Sequence, residues 1–261
     1  MAVCTFRFYD GLCDFLARER KGREFDFSFT GTPSIKDTIE AAGVPHAEVD
    51  IILIDGKPAD FSTLLRGGER VAVYPAFTNL DVDPEHRLLP PRPVVYRFVL
   101  DVHLGRLARY LRLAGFDTLY SNTYTDPEIA GIAAREERIV LTRDTGLLKH
   151  SAVARGYWLR STSPRAQLTE VVERFDLHPH FTPFSRCMMC NGRVRAADFS
   201  EVRGRVPPRV AQNFDRFRLC DDCGRVYWPG SHYEKLAALL EEQARTHQPE
   251  SYSVGVREPS E

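Results

Sequence analysis

The amino-terminal part of the chain alternates hydrophobic and polar positions with the two-residue period of a half-buried β-strand. Runs of this kind, rich in β-branched and aromatic residues, predict strands over residues 4–9, 24–30, 49–56 and 70–77. Apolar residues at helical spacing predict a helix over 35–42, which starts behind Pro33 and Ser34. Asp55-Gly56 indicates a tight hairpin, because both central positions of such a turn need positive φ. Together these elements predict a small α+β domain.

A proline-rich segment separates this domain from the rest of the chain. Pro90, Pro91 and Pro93 disfavour both helix and sheet, because the proline ring fixes φ and removes a backbone donor. The sequence therefore predicts a first domain over residues 1–80 and a linker over 81–95.

Beyond the linker, short apolar runs alternate with segments of helical spacing. The predicted strands cover residues 96–100, 117–120, 138–142 and 157–159. The predicted helices run from 104 to a stop at Gly115, over 127–137, from 144 and over 164–175. Parallel neighbouring strands need a crossover connection, so this alternation predicts a parallel sheet. We assign residues 96–180 to this α/β domain.

Composition and charge bound these assignments. A chain of 261 residues with 43% hydrophobic side chains has the length for about two domains and a small third module. The net charge of −1 lacks the basic excess typical of nucleic-acid binders, although a local basic face remains open. No apolar run approaches the roughly eighteen residues of a membrane span, and the amino terminus lacks a signal-peptide pattern. We therefore expect a cytoplasmic protein without a membrane partner.

Acidic residues follow three of the strands predicted for the α/β domain. Asp101 directly follows the first strand, Asp144 follows the third, and Asp126 opens the helix after the second, with Glu128 two residues later. Because the carboxyl ends of parallel strands meet at one edge of a sheet, we expect these carboxylates to lie together. Such a cluster needs a cation, and carboxylate oxygens favour Mg²⁺ or Mn²⁺. Taken singly, Asp126 and Asp144 also suit helix N-caps.

Basic residues accompany these acids. Arg106 and Arg109 lie on one face of the first helix of the α/β domain, and Arg143 directly precedes Asp144. Arginines in such positions are candidates for contacts with phosphate oxygens. A solvated helix face is an equally good interpretation of Arg106 and Arg109.

Two C-x-x-C pairs mark the carboxy-terminal part of the chain. The first pair is Cys187 and Cys190, and the second is Cys220 and Cys223. In a reducing compartment, pairs with this spacing favour a single tetrahedral Zn²⁺ over disulfides or a redox site. Four thiolates leave no open coordination position, so we expect the zinc to be structural.

The zinc module is predicted to occupy residues 181–246. Gly192 and Gly224 follow the two cysteine pairs, where the turns tolerate positive φ. Arginines and phenylalanines alternate between the pairs; we expect the phenylalanines to fill a small core and some arginines to contact RNA. An amphipathic helix is predicted over 231–244, with a disordered tail over 247–261.

The first domain contains the segment IILIDGKPADFSTLLRGGERVAVYPAF, and its order of elements resembles the β-grasp fold of the ubiquitin-like sulfur carriers ThiS and MoaD. Those carriers end in an exposed Gly-Gly whose carboxylate is activated. Here the chain continues from Phe77 to Leu80 and beyond, so we set sulfur transfer aside. The resemblance implies a docking module with a protein partner or, equally well, a domain that packs on its neighbour.

Two stretches carry a second resemblance: DVHLGRLARYLRLAGFDTLY and TDPEIAGIAAREERIVLTRDTGLLKH. With the motifs D-x-x-L-G-R-L-A-R and L-T-R-D, they are similar to the PIN-type ribonuclease domain of the mut-seven exonuclease. The similarity runs from Val94 through the cysteine region, and bacterial members of this family also carry a β-grasp domain ahead of it. The expected fold is therefore α/β and α+β multidomain, with a β-grasp domain, a PIN-like parallel α/β domain and a zinc ribbon.

The second resemblance implies a Mg²⁺- or Mn²⁺-dependent ribonuclease that acts on RNA. Its acidic residues would be Asp101, Asp126 and Asp144, with Glu128 as a fourth. Asp101 and Asp144 would hold the magnesium or manganese ion, which lowers the pKa of a bound water. Asp126 or Glu128 would bind a second ion or orient the attacking water.

The same resemblance assigns a role to two basic residues, since Arg143 and Lys149 would steady the phosphate charge. The alternative function is a non-catalytic RNA-binding or adaptor protein that uses the zinc ribbon and the β-grasp domain. The presence of Asp101, Asp126 and Asp144 favours the enzyme.

Overall fold

The computed structural model describes residues 1–77 and 82–245. These residues form an amino-terminal mixed sheet, a central parallel sheet and a small carboxy-terminal antiparallel sheet beside a cysteine cluster, which confirms the predicted fold class. None of the helices described is long and apolar enough to cross a bilayer. The tail predicted over 247–261 lies outside the described residues.

The amino-terminal sheet has the strand order β2-β1-β5-β3-β4. Its strands are β1 (Ala2–Phe8), β2 (Phe25–Phe29), β3 (Val49–Ile54), β4 (Lys57–Ala59) and β5 (Arg70–Pro75), and its helix is α1 (Ile35–Ala41). The central pair β1 and β5 is parallel, whereas the other neighbours are antiparallel. Asp55 and Gly56 both have positive φ, which confirms the hairpin. The short strand β4 follows this turn and pairs with β3 as the second strand of the hairpin.

The central sheet consists of β6 (Arg97–Leu100), β7 (Asp117–Tyr120), β8 (Ile139–Thr142) and β9 (Gly156–Trp158), in the order β7-β6-β8-β9. All neighbouring pairs are parallel, as predicted from the alternation of strands and helices. The helices are α2 (Gly105–Ala114), α3 (Asp126–Glu136), α4 (Thr145–Leu148) and α5 (Pro164–Phe175). Gly115 ends α2 in the left-handed conformation, as predicted.

Alternate residues of the central strands build two hydrophobic layers. Phe98 and Leu100 of β6 face α2 and α5, whereas Val99 faces α3 and α4. The helices therefore cover both faces of the sheet, and its carboxyl edge is left for the loops.

The carboxy-terminal module has three antiparallel strands, β10 (Val194–Ala197), β11 (Phe217–Cys220) and β12 (Val226–Tyr227). The long connection between the cysteine pairs carries two short helices, α6 (Phe199–Val202) and α7 (Pro208–Asn213). Phe214 and Phe217 pack in a small core, as predicted, whereas Phe199 is 42% exposed.

The last helix, α8 (Ser231–Arg245), returns to the central domain. Leu239 and Leu240 are buried in the hydrophobic cluster of the parallel sheet, and Leu236 packs against it. The helix predicted over 231–244 therefore forms, and it joins the zinc module to the core of the α/β domain.

The amino-terminal domain packs on the central domain. Ala47 belongs to the hydrophobic cluster of Val99 and Val140, and the ring of Phe15 lies 5.1 Å from that of Trp158. Lys149 Nζ donates to the main-chain oxygen of Glu40 at 2.7 Å. Of the two interpretations of the first domain, packing on its neighbour is thus observed, while a protein partner stays a prediction.

A buried carboxyl group lies in this interface and makes it sensitive to pH. Glu48 accepts a hydrogen bond from the Trp158 amide at 2.5 Å, and burial raises its pKa from 4.5 to about 7 despite the nearby Arg160 and Arg174. Because the folded-state pKa is the higher one, its stabilising contribution is complete below pH 4.5 and is lost as the pH rises through 7.

We expect Glu48→Gln to change the pH dependence of unfolding. Between the two pKa values, the variant should gain stability relative to the parent chain as the pH rises, by up to about 3 kcal/mol. Thermal melts across this range measure the difference, with the exposed Glu19→Gln as the matched control. Parallel pH profiles for the Glu48→Gln chain and the parent would contradict this expectation.

Candidate active site and metal centre

The acidic residues predicted at the carboxyl edge of the central sheet are linked by a threonine. Asp101 directly follows β6 and is 7% exposed, and its neighbour across the sheet is the end of β8. Thr142, the last residue of β8, donates its hydroxyl to Asp101 Oδ2 at 2.8 Å and accepts the Asp144 amide at 2.8 Å. One hydroxyl group thereby fixes the positions of both aspartates.

Asp126 lies within electrostatic reach of the other two aspartates. Its pKa is raised, first by partial burial and then by the negative charges of Asp144 and Asp101. The structure therefore brings Asp101, Asp126 and Asp144 together at the carboxyl edge of the central sheet, which we call the acidic edge. Their carboxylate oxygens do not all lie within 4.8 Å of one another; in residues 1–77 and 82–245 the four cysteines alone form so tight a set of potential ligands.

The capping roles of the acidic residues differ from the simplest expectation. Asp144 is the N-cap of α4, and its Oδ1 accepts the Gly146 amide at 2.7 Å. Asp126 does not cap α3, so that alternative is wrong: Thr125 is the N-cap, and Glu128 accepts both the amide and the hydroxyl of Thr125. Hydrogen bonds from Thr125 lower the pKa of Glu128, whose carboxylate is thus engaged in a capping box.

Three of the four predicted phosphate ligands line one open cleft of about 690 Å³, which we call the arginine cleft. Arg106, Arg109 and Arg143 contribute to its wall together with His103 and Asn122. His103 lies two residues beyond Asp101, and Arg143 directly precedes Asp144, so the cleft adjoins the acidic edge, although none of the three aspartates lines it. Within the described chain, none of these three guanidinium groups forms an ion pair with a carboxylate.

Lys149, the fourth predicted phosphate ligand, is placed elsewhere. Its ammonium group donates to the Glu40 carbonyl in the amino-terminal domain, and it does not line the arginine cleft. The contact is made with a residue more than a hundred positions away, so local spacing gave no sign of it.

The loop after β6 owes its shape to a close contact that sequence reasoning missed. Tyr120 Oη donates to the Val102 carbonyl at 2.9 Å and ties the end of β7 to this loop. A Cβ atom at Gly105 would lie 2.7 Å from the same hydroxyl, so glycine is needed there. Thr142 was also missed, although its place at a strand end in L-T-R-D was a usable signal.

The four cysteines form a compact metal centre. Cys187 Sγ lies 3.6 Å from Cys223 Sγ, and Cys190 Sγ lies 3.5 Å from Cys220 Sγ, with all four sulfurs within 4.8 Å of one another. These separations are far longer than a disulfide bond and suit thiolates arranged around one tetrahedral ion. The four cysteines could hold a metal ion such as zinc.

Without a cation, the four cysteine thiols of this centre do not all ionise readily. Burial opposes ionisation of Cys187, but hydrogen bonds from Tyr227 and from the amides of Cys190 and Met189 outweigh it and lower its pKa. Burial raises the pKa values of Cys190 and Cys220. A cation among the sulfurs would remove this conflict, so the donor set fits a metal ion.

The first cysteine turn differs from prediction in one backbone feature. Asn191, with φ 73°, adopts the left-handed conformation expected for Gly192, whereas Gly224 has φ 67° as expected. The Asn191 side chain explains the difference: its amide donates to Asp117 Oδ1, and its carbonyl accepts the Thr118 amide. Asparagine tolerates this conformation, and here it docks the turn on β7.

A buried arginine attaches the same turn to helix α2. Arg112 donates to the carbonyl oxygens of Thr118, Met188 and Met189. Burial lowers its pKa. Hydrogen bonds from Arg112 therefore join the first cysteine turn to α2, the helix that carries Arg106 and Arg109.

The comparisons with known proteins agree with this arrangement. The family model of the Mut7-C RNAse domain matches residues 96–240. The chain belongs to this family. The Mut7-C ubiquitin model matches residues 1–81, so both resemblances inferred from the sequence are confirmed. No curated protein and no solved structure matches the chain.

The Mut7-C RNAse match spans the parallel sheet, the cysteine centre and most of α8 as one unit. This extent agrees with the shared core, in which Leu239 and Leu240 pack against the central domain. Membership of the family indicates a nuclease-like function. The individual roles of Asp101, Asp126 and Asp144 stay predictions.

Proposed function

We propose that this protein is a metal-dependent ribonuclease that hydrolyses phosphodiester bonds in single-stranded RNA. The observation that carries the proposal is the acidic edge, where Thr142 joins Asp101 to Asp144 and Asp126 lies close enough for its pKa to respond to both. Family membership in the Mut7-C RNAse domain supports the same class of reaction.

The cleft beside the acidic edge supports a polyanionic substrate. Arg106, Arg109 and Arg143 line it without carboxylate partners in the described chain, so their guanidinium groups are free to take phosphate oxygens in bidentate fashion. The cleft is open, which suits a flexible single strand whose bases can splay out.

The carboxylates fit a divalent ion, because Asp126 is hard to ionise beside Asp101 and Asp144 unless a cation offsets their charge. Asp101 and Asp144 would hold Mg²⁺ or Mn²⁺. When bound, the ion supplies water activation near neutral pH and offsets the charge of the phosphate.

The protein's own residues have separate tasks in this scheme. Thr142 holds Asp101 and the Asp144 backbone in register. Asp126, with its raised pKa, suits orienting the attacking water better than Glu128, whose carboxylate is occupied by Thr125. Arg143 is placed to steady the phosphate charge.

The zinc centre, the cellular location and a protein partner complete the proposal. Zn²⁺ is the ion we propose for the four cysteines, in a structural role. None of the six cysteines, all of which the structure describes, forms a disulfide, which suits the reducing cytoplasm. Strand β2 is an edge of the amino-terminal sheet and offers unpaired backbone groups to a protein partner.

Cleavage assays on the full chain test the proposed reaction. We expect a labelled single-stranded RNA to be degraded when Mg²⁺ or Mn²⁺ is added and to stay intact in a buffer that contains neither ion. The lengths of the products on a sequencing gel measure the cleavage. A duplex of the same sequence is the matched control substrate. Degradation that proceeds equally without added ions would reject the metal-dependent mechanism. Binding without any cleavage would favour the non-catalytic adaptor.

A further inference from the structure

A second cavity of about 750 Å³ lies between the small antiparallel sheet and the start of α8. We call it the ribbon groove. It is formed by one face of β11 and β12, by the segment that enters the first cysteine turn, and by the first turns of α8. It is distinct from the arginine cleft at the acidic edge.

One wall of the ribbon groove is basic. Arg216 directly precedes β11 and Arg218 lies on it, and both line the groove. Arg218 pairs with Tyr227 across the sheet, and Arg225, two residues before Tyr227, lines the same groove. None of the lining residues is acidic. In the described chain, Arg216 and Arg225 form no ion pair, whereas the arginines outside this face include Arg195, which is paired with Glu201 and Asp221.

The rest of the groove offers aromatic surfaces. Phe184 and Tyr233 stack with ring centroids 4.3 Å apart, and Tyr233 remains 39% exposed. Trp228 is half-buried, and its indole N–H has no acceptor among the described residues. A base could stack on the exposed ring and hydrogen-bond to the indole group.

We propose that the ribbon groove binds a single-stranded segment of RNA, with phosphates on Arg216, Arg218 and Arg225 and a base stacked against Tyr233. The inference rests on the proposed ribonuclease function for its choice of RNA as the ligand. The charge of the groove favours one kind of occupant. Arg216 and Arg225 have no carboxylate partner in the described chain, and Arg218 donates only to the Phe184 carbonyl, so together they favour a polyanion. The stacked rings favour a polyanion that carries bases. An acidic peptide would use the arginines but would leave the aromatic surface without a partner.

The groove and the cleft both adjoin the first cysteine turn. Met188 lines the ribbon groove, and its neighbour Met189 lines the cleft beside the acidic edge. Arg112 holds the carbonyl oxygens of both residues. A strand seated in the groove can therefore lead past this turn into the cleft, so the groove would hold the part of the substrate that is not being cut.

Equilibrium binding tests the groove separately from cleavage. Fluorescence anisotropy is measured with labelled oligouridylate and the full zinc-loaded chain carrying Asp144→Asn, without added Mg²⁺ or Mn²⁺. We expect Arg216→Ala with Arg225→Ala to weaken binding about tenfold or more and to reduce the slope of log affinity against log salt by about 1.4, since each lost contact to a single strand removes about 0.7. Tyr233→Leu should weaken binding about fivefold with an unchanged salt slope, because stacking carries no charge.

The matched control is Arg203→Ala with Arg209→Ala, which removes the same charge from exposed positions of the module outside the groove. Zinc content and the melting temperature are checked for each variant, so that a loss of fold is not read as a loss of contact. Equal affinities and salt slopes for the two double variants would overturn the proposal.

The two proposals can fail separately. If the parent chain cleaves RNA but the groove variants bind like the control, the groove is wrong and the ribonuclease stands. If no ion supports cleavage while the groove variants lose affinity, the groove stands and the ribonuclease is wrong.

Discussion

Asp144→Asn is expected to lower RNA cleavage by about 100-fold or more, the loss typical of removing one preorganised electrostatic group. Asp144 shares Thr142 with the buried Asp101, and its charge acts on Asp126, so it stands at the centre of the acidic edge. The amide has the shape of the carboxylate but not its charge. Single-turnover cleavage of labelled RNA with saturating Mn²⁺ measures the effect.

This substitution also keeps the fold, which makes the result interpretable. The structural task of Asp144 is to accept the Gly146 amide at the start of α4, and asparagine caps helices as well as aspartate. Asp198→Asn, which makes the same change at the N-cap of α6, is the matched control and should cleave at the parental rate. An Asp144→Asn chain that cleaves as fast as the control would refute the assignment of the acidic edge.

The central domain could be predicted because its signals are local. Alternating strands and helices imply a parallel sheet, and a parallel sheet places all strand ends at one edge. Asp101, Asp126 and Asp144 were therefore found without knowing the strand order. The position of Arg143 near these aspartates could also be predicted, because it directly precedes Asp144.

What could not be predicted depends on contacts between distant segments. Lys149 was expected at the phosphate, but the amino-terminal domain takes its ammonium through Glu40. Arg112 of α2 is buried, and it donates to the carbonyl oxygens of the metal-binding turn, a contact that the helical spacing does not predict. Neither contact leaves a mark in the spacing of residues along the chain.

Some local signals were present and were misread. The sequence T-D-P-E from Thr125 to Glu128 has the spacing of a capping box, in which threonine rather than Asp126 is the N-cap. Asparagine after a cysteine pair also tolerates positive φ, so Asn191 competed with Gly192 for the turn. In both cases two adjacent residues suited one position, and a contact elsewhere decided between them.

Cys187→Ser is expected to remove the zinc and to destabilise the carboxy-terminal module. A serine hydroxyl does not ionise near neutral pH, so the site loses one of four thiolates, and it is the one whose ionisation Tyr227 and two backbone amides favour. Structural zinc sites contribute several kcal/mol to folding, so we expect a fall in the melting temperature of about 10 °C or more. Zinc analysis should find about one ion per parental chain and almost none in the variant.

The matched control is Cys13→Ser, a thiol outside the cluster whose hydrogen bond to the Phe8 carbonyl a hydroxyl can also donate. It should keep its zinc and its stability. Arg112 joins the carbonyl oxygens of Met188 and Met189 to α2, so we expect loss of the metal to disturb the arginine cleft as well. The Cys187→Ser chain should therefore cleave RNA more slowly than the Cys13→Ser chain. Equal zinc content in the two variants would contradict a four-thiolate site, because a ligand can be replaced without loss only where it does not bind the metal.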